Sequence, residues 1–187
     1  NIHKEALRLI TLVGDIIKIT QMDDKQLPIQ REQLDLRALC ADVLEHLQPA
    51  ADSAGVKIFL EGESQWVSGA RQIADEMIYN LCDNAIKYNR PGGTVCVRLE
   101  PREEEAVALS VEDTGIGIPQ EHQGRVFERF YRVDKNRSRE IGGTGLGLSI
   151  VKHGALYHGA ALYLDSTPGV GTKITVVFPR HRPEQTQ

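Results

Sequence analysis

Ile141-Gly142-Gly143-Thr144-Gly145-Leu146-Gly147-Leu148-Ser149-Ile150-Val151-Lys152 is the stretch on which the reading of this chain turns. Its closely spaced glycines run straight into a helical pattern. Leu146, Ile150 and Leu156, with Leu148 and Val151 beside them, form an apolar face at helical spacing. Glycine lets a backbone approach a ligand and adopt positive φ. The first turn of the helix that follows carries unpaired N–H groups and a partial positive charge, which suit phosphate oxygens. Short glycine motifs also recur by chance, so by itself the stretch is equally a flexible loop ahead of a helix.

Outward from it, the pattern on both sides is mixed. Upstream lies a long polar segment, residues 114–143, with one aromatic patch; residues 119–142 read as a mobile lid, with Phe127, Phe130 and Tyr131 docking its root. Before that, Val95, Val97 and Leu99 alternate with polar positions, as do Val107, Leu109 and Val111, which predicts a hairpin across 101–105. Downstream, strands at 161–164 and 174–178 flank Thr167-Pro168-Gly169-Val170-Gly171. A helix is predicted over 71–88, closed by Asn89-Arg90-Pro91-Gly92-Gly93. Asp35 can cap another through Leu39, Val43, Leu44 and Leu47 to Ala54, with Gly55 as its stop. Val56 to Leu60 and Trp66-Val67 read as short strands, and Leu27-Pro28-Ile29-Gln30-Arg31 as an edge strand. Helices and strands alternate without a βαβ rhythm, which predicts an α+β two-layer sandwich, a mixed sheet of about five strands against about three helices. The division expected is a helix over 1–25, one domain over 26–180 and a polar tail over 181–187.

The opening helix repeats Ile2, Ala6, Leu9, Ile10, Val13, Ile16 and Ile17 in steps of three and four, a stripe that needs a partner helix, either upstream chain or a second copy. The chain begins at Asn1 within that pattern and without Met, which points to a piece of something longer with a membrane anchor upstream, the piece itself being cytoplasmic. No run reaches the roughly 18 apolar residues of a membrane span. With 187 residues, 41% of them hydrophobic, and a net charge of −4, composition offers no case for nucleic acid as partner. Cys40, Cys82 and Cys96 have no metal-ligand spacing and read as reduced, buried thiols.

Two constellations give the glycine stretch its partners. Asn80, Asn84 and Lys87 share one face of the helix over 71–88, with Tyr88 next to them. Carboxamide oxygens suit Mg²⁺, an ammonium suits phosphate, and a tyrosine can cover a base or ribose. Asp113-Thr114-Gly115-Ile116-Gly117-Ile118 follows an apolar strand, so its carboxylate can accept from an exocyclic amine beside glycines that admit a flat ligand.

Asn80-Leu81-Cys82-Asp83-Asn84-Ala85-Ile86-Lys87-Tyr88 resembles the N box of bacterial sensor histidine kinases, and Asp113 to Gly117 their G1 box. Phe127-Glu128-Arg129-Phe130-Tyr131-Arg132 resembles the F box, Gly143-Thr144-Gly145-Leu146-Gly147-Leu148 the G2 box, and Gly169-Val170-Gly171-Thr172 the last glycine box. Any one is weak; all five occur in family order across 80–172. The opening helix resembles the second helix of the family's dimerisation and phosphotransfer hairpin. The resemblance implies a Bergerat-type fold of the GHKL superfamily that binds Mg²⁺ with ATP or ADP and phosphorylates a histidine. A response-regulator receiver domain would take the phosphoryl group, and the full-length protein would form a homodimer through the opening helix.

Carried over, Asn84 would hold Mg²⁺ with Asn80 nearby, Lys87 would contact phosphate and Tyr88 the nucleoside. Asp113 would bind the adenine amine, with Gly115 and Gly117 beside the ring and Thr172 closing its far side. Gly143, Gly145, Leu146 and Gly147 would line the phosphates. Arg132, with Arg137 or Arg139 as further candidates, would reach the γ-phosphate. Two departures stand out. Ala70 follows Gly69 where the family has an acidic residue, leaving Ser68 as the candidate cap. His3 precedes Lys4-Glu5-Ala6 and not an acidic residue with Pro-Leu further on, so neither it nor His46, His122, His153, His158 or His181 fits the phosphoacceptor motif. The competing readings are an ATP-hydrolysing relative, which would carry glutamate where Asn80 sits, and a nucleotide-sensing scaffold.

Overall fold

The computed structural model describes residues 2–24, 30–134, 141 and 143–180. A helix α1 (Ile2–Asp23) leads into β1 (Glu32–Asp35), α2 (Leu36–Ala54), β2 (Lys57–Glu61), β3 (Trp66–Gly69) and α3 (Arg71–Lys87). Then come β4 (Thr94–Arg102), β5 (Ala106–Asp113), the single turn α4 (Gln120–Gln123), α5 (Gly147–His158), β6 (Ala161–Thr167) and β7 (Gly171–Pro179). Five strands form one sheet in the order β2-β4-β5-β7-β6, with β2 parallel to β4 and every other pair antiparallel. Helices α2, α3 and α5 cover one face. The α+β sandwich expected from the sequence is present, with the long helix ahead of it.

Period-two alternation decides which side chains meet the helices. Val97, Val111 and Ile174 lie opposite one another across three strands, as do Leu99, Leu109 and Val176, and all six are buried. The same inward row on β5 runs 107, 109, 111 and ends at Asp113, which lies between Val95 and Thr172. The alternation that buries the core therefore also places one carboxylate and one hydroxyl at the sheet's end, beneath the helices. From α3, Met77, Ile78, Leu81 and Ala85 fill the layer between.

Asp35 has extended backbone angles and accepts from the N–H groups of Arg37 (2.9 Å) and Ala38 (3.4 Å), capping α2 as expected. Gly55 closes that helix in the left-handed region at φ 67°. The edge strand expected at 27–31 falls largely outside the described residues. The strand observed instead is β1, which pairs antiparallel with β3 in a separate two-stranded sheet. Glu32-Gln33-Leu34-Asp35 has one apolar residue and no readable alternation, so its strand state comes from its partner and not from propensity.

Helix α3 starts at Ala70 without any side-chain cap, so Ser68 does not serve. The N–H of Ala70 donates to Nε2 of His158 (3.2 Å), the last residue of α5, and Nδ1 of His158 faces the carbonyl of Gly154 (2.8 Å). That carbonyl can only accept, so Nδ1 carries the proton and the ring is neutral. Burial first, and the Arg31 charge after it, push this imidazole down to about 4 from the usual 6.5. Gly69 is glycine for a steric reason: a Cβ there would lie 2.6 Å from Nε2 and 2.7 Å from Cδ2 of His158. Because that ring is buried and cannot retreat, Gly69→Ala is expected to cost about 2 kcal/mol, read as a drop of several degrees in melting temperature.

Helix α1 packs on α5 through Ile19, which joins Leu146 and Ile150 in a small cluster flanked by Leu12 and Met22. Its other apolar stripe, Ile2, Leu9, Ile10, Val13, Ile16 and Ile17, remains exposed. No helix among the described residues is long and apolar enough to cross a membrane.

Candidate functional site

Between α1, α2, α3 and the ends of β5 and β7 lies a cavity of about 840 Å³. Asn80, Asn84, Lys87, Tyr88, Asp113, Gly117, Arg132, Gly143, Gly145, Gly147 and Thr172 all line it. Of the thirteen described residues given site roles from the sequence, eleven thus share one space. The other two, Gly115 and Leu146, sit behind it. A Cβ on Gly115 would lie 2.3 Å from the carbonyl oxygen of Tyr88, so this glycine packs against the end of α3. Leu146 is 1% exposed and turned toward Ile19 and Ile150, so only its backbone is available to a ligand.

At the phosphate end, α5 begins at Gly147 with no side chain capping its first turn. A Cβ on Gly147 would lie 3.0 Å from Oδ1 of Asn80 and 3.8 Å from Oδ1 of Asn84. Two carboxamide oxygens on one face of α3 therefore lie against the start of α5. Hard oxygen donors set against an anion-attracting helix end suit a divalent cation carried by phosphates. Asn80 is held by its amide, which donates to the Glu76 carbonyl (2.8 Å). Lys87 forms an ion pair with Asp83 at 2.7 Å, a partly exposed pair of the kind that holds a side chain weakly. Arg132 donates to the carbonyl of Gly143, joining the end of the aromatic patch to the glycine loop. Arg137, Arg139 and Gly142 lie outside the described residues.

At the other end, Oδ1 of Asp113 accepts from the N–H of Gly115 (2.8 Å) and of Thr172 (3.3 Å). Burial raises the Asp113 carboxyl above its ordinary value, and these two N–H donors work against the rise. Tyr88 ends α3, and its carbonyl accepts from Ile116 (3.1 Å). Gly117 takes φ 70°, with Thr167 so close that a Cβ would lie 2.2 Å from its carbonyl oxygen.

The aromatic patch at 127–131 is anchored differently from expectation. Phe127 packs on the core and Val126 is buried, while the Phe130 ring is 56% exposed. Phe130 holds its place through its backbone, at φ 63°, with its N–H on the Gly145 carbonyl (2.9 Å). The Tyr131 hydroxyl bonds Nδ1 of His122.

Sequence reasoning passed over the polar side of α1. Thr144 of the glycine loop donates to Asp15 (2.9 Å), Lys18 pairs with Glu76 (3.0 Å), and Asp23 meets Arg129 (2.6 Å) and His153 (2.7 Å). Thr11, Asp15 and Lys18 line the cavity. Their spacing of four and three is a helical stripe and was the available signal, hidden by the more conspicuous apolar one.

Residues 69–182 match the family model described as histidine kinase-, DNA gyrase B-, and HSP90-like ATPase. The chain belongs to this family. Among curated relatives it is 35% identical over 179 residues to the sensor histidine kinase WalK of Bacillus subtilis, covering 95% of this chain and 29% of WalK. It is also 35% identical over 182 residues to the sensor-like histidine kinase SenX3 of Mycolicibacterium smegmatis, covering 95% of this chain and 46% of SenX3. The chain thus spans less than half the length of these two relatives. A solved structure of the mycobacterial sensor histidine kinase MprB superposes with a TM-score of 0.72 at 31% identity, covering 82% of this chain and all of that one. Full-length ShkA, crystallised with AMPPNP, superposes at 0.80 with 24% identity, over 94% of this chain and 36% of ShkA, and speaks to fold alone. The GHKL ATP-binding fold expected from the five boxes is therefore shown, and the family makes ATP the expected nucleotide.

Proposed function

We propose that this chain is the ATP-binding catalytic part of a sensor histidine kinase, transferring the γ-phosphoryl of Mg·ATP to a histidine on a hairpin helix outside these 187 residues. The observation that carries the reading is one cavity with two chemically different ends. Asn80, Asn84 and the start of α5 stand at the phosphate end, and Asp113 and Thr172 at the base end. Mg²⁺, held by Asn84 with Asn80 nearby, would neutralise phosphate charge. Lys87 and the N–H groups at Gly147 bind the phosphates, and Arg132 stabilises charge on the γ-phosphoryl as it moves. In the transfer the unprotonated imidazole nitrogen forms its bond to the γ-phosphorus as the bond to the leaving ADP oxygen breaks, and the proton on the ring's other nitrogen passes to solvent. The protein supplies position and charge compensation rather than covalent chemistry.

In this reading α1 is the second helix of the dimerisation and phosphotransfer hairpin. Its exposed stripe of Ile2, Leu9, Ile10, Val13, Ile16 and Ile17 would pack in a four-helix homodimer. A response-regulator receiver domain then accepts the phosphoryl group on an aspartate, and the full-length protein sits at the plasma membrane. An ATP-hydrolysing role is disfavoured because position 80 is an amide, and Glu76, one turn earlier, is engaged by Lys18.

The test is incubation with γ-labelled ATP and Mg²⁺. The present chain should not label itself, whereas a longer protein with the upstream hairpin should acquire acid-labile, base-stable phosphate. Label on the present chain that disappears in His3→Gln would overturn the assignment. In the longer protein, Arg132→Ala should slow transfer roughly a hundredfold and leave ADP affinity within about threefold. Equal losses in both would remove Arg132 from the γ-phosphate.

A further inference from the structure

The base end of the cavity holds a hydrogen-bond chain that the roles assigned so far leave unused. Ser166, on β6, contacts three partners: the N–H of Ile118 at 2.8 Å, the carbonyl of Gly171 at 3.1 Å and the hydroxyl of Thr172 at 2.8 Å. A hydroxyl has one hydrogen and two lone pairs. The Ile118 N–H can only donate, so it takes one lone pair of Ser166. The Gly171 carbonyl can only accept, so it takes the single hydrogen. The remaining contact then has one polarity: Thr172 donates its hydroxyl hydrogen to Ser166.

The consequence is felt on the cavity side. With its hydrogen turned toward Ser166, Thr172 shows the cavity lone pairs. Beside it, Oδ1 of Asp113 is taken by two backbone N–H groups, leaving Oδ2 as an acceptor. Asp113 and Thr172 face each other across the strand pair β5–β7. We propose that Ser166 is a specificity-determining positioning residue, which fixes the Thr172 hydroxyl as an acceptor and makes this edge read an exocyclic amine and reject a ring carbonyl. An aminopurine brings N–H donors to two acceptors. A 6-oxopurine brings a carbonyl oxygen against them, and a buried acceptor facing an acceptor is penalised far more than a missing contact.

This rests on the nucleotide reading above, and the experiment separates the two. Affinities for ATP and inosine triphosphate, in which a 6-oxo group and an N1–H replace the 6-amine and bare N1 of adenine, are measured by titration calorimetry with Mg²⁺. The proteins are the wild type, Ser166→Ala, Ser166→Thr, Thr172→Val and the double variant Ser166→Ala/Thr172→Val. In Ser166→Ala the Thr172 hydroxyl is free to turn and donate to a carbonyl. The wild-type preference for ATP should then shrink about tenfold, chiefly through a gain for inosine triphosphate. Ser166→Thr keeps the hydroxyl and should restore the preference. The double variant should discriminate no worse than Thr172→Val, since Ser166 acts only through that hydroxyl.

A merely structural role would weaken both nucleotides equally and leave their ratio unchanged, which overturns the inference while the nucleotide site stands. Absence of binding to the wild type overturns the site reading itself. If Ser166→Ala does not fold, the decision falls to Thr172→Val, where an unchanged ratio overturns the inference.

Discussion

Asp113→Asn is expected to lower ATP affinity about a hundredfold, with little change in melting temperature. The amide oxygen can still accept from the N–H groups of Gly115 and Thr172, so the loop after β5 keeps its turn. What changes is the other atom. The Oδ2 acceptor becomes an NH₂ donor aimed at a base that itself donates, so one favourable bond is replaced by a donor facing a donor. Asp113→Ala should be as poor a binder and less stable, because two backbone N–H groups lose their acceptor. The acid dependence has a definite sign. Only the ionised carboxyl accepts at both oxygens, and burial raises its pKa. Affinity is therefore full above that raised value and falls as pH drops through it, at a higher pH than an ordinary surface carboxylate would give. Calorimetric titration of ATP over a pH series, paired with melting curves, reads both effects. A variant that binds ATP as wild type does would take the base away from Asp113.

The second large effect belongs to His158. His158→Leu is expected to cost about 2 to 4 kcal/mol, because it leaves the buried N–H of Ala70 without its acceptor and takes the ring N–H from the carbonyl of Gly154. The wild type should also lose stability in acid through this group. Its folded-state pKa is lowered to about 4, below the ordinary 6.5, so the unfolded chain binds the proton more readily between those values. Stability is fully present above about pH 6.5 and falls as the pH drops toward 4, by roughly 3 kcal/mol. Denaturant titrations of the two proteins from pH 7.5 to 4 isolate the contribution, since the other titrating groups are common to both. The variant should be weaker at neutral pH and should lack this part of the acid slope. Parallel pH curves would show that the histidine is not held neutral. The consequence also reaches the site, since His158 ties the last residue of α5 to the first turn of α3, and those two helices present Gly147 and the Asn80–Asn84 face to each other.

Most of the candidate site was legible in the sequence. The spacing of Asn80, Asn84 and Lys87 on a helix, the carboxylate at the end of an apolar strand and the glycines running into a helix are local facts. A helix repeats every 3.6 residues and a strand every two, so the residues that share a face follow from their order in the chain. Asp113 is the clearest case, because it was read as a carboxylate at the end of an apolar strand, and the row of Val107, Leu109 and Val111 runs on to it at a period of two. The order of the boxes completed the reading, because their family arrangement implies the fold that brings them together.

Tertiary structure alone decided contacts between residues far apart in the chain. Glu32-Gln33-Leu34-Asp35 is a strand because Trp66–Gly69 pairs with it. Helix α3 lacks the cap that sequence rules would give it and takes the His158 ring from 88 residues away. Asp15 of α1 reaches Thr144 across 129 residues. The physical reason is common to all of them. Periodicity records which way a side chain points from its own element, whereas the identity of the group it meets depends on how the layers stack, and that is settled by the whole core at once.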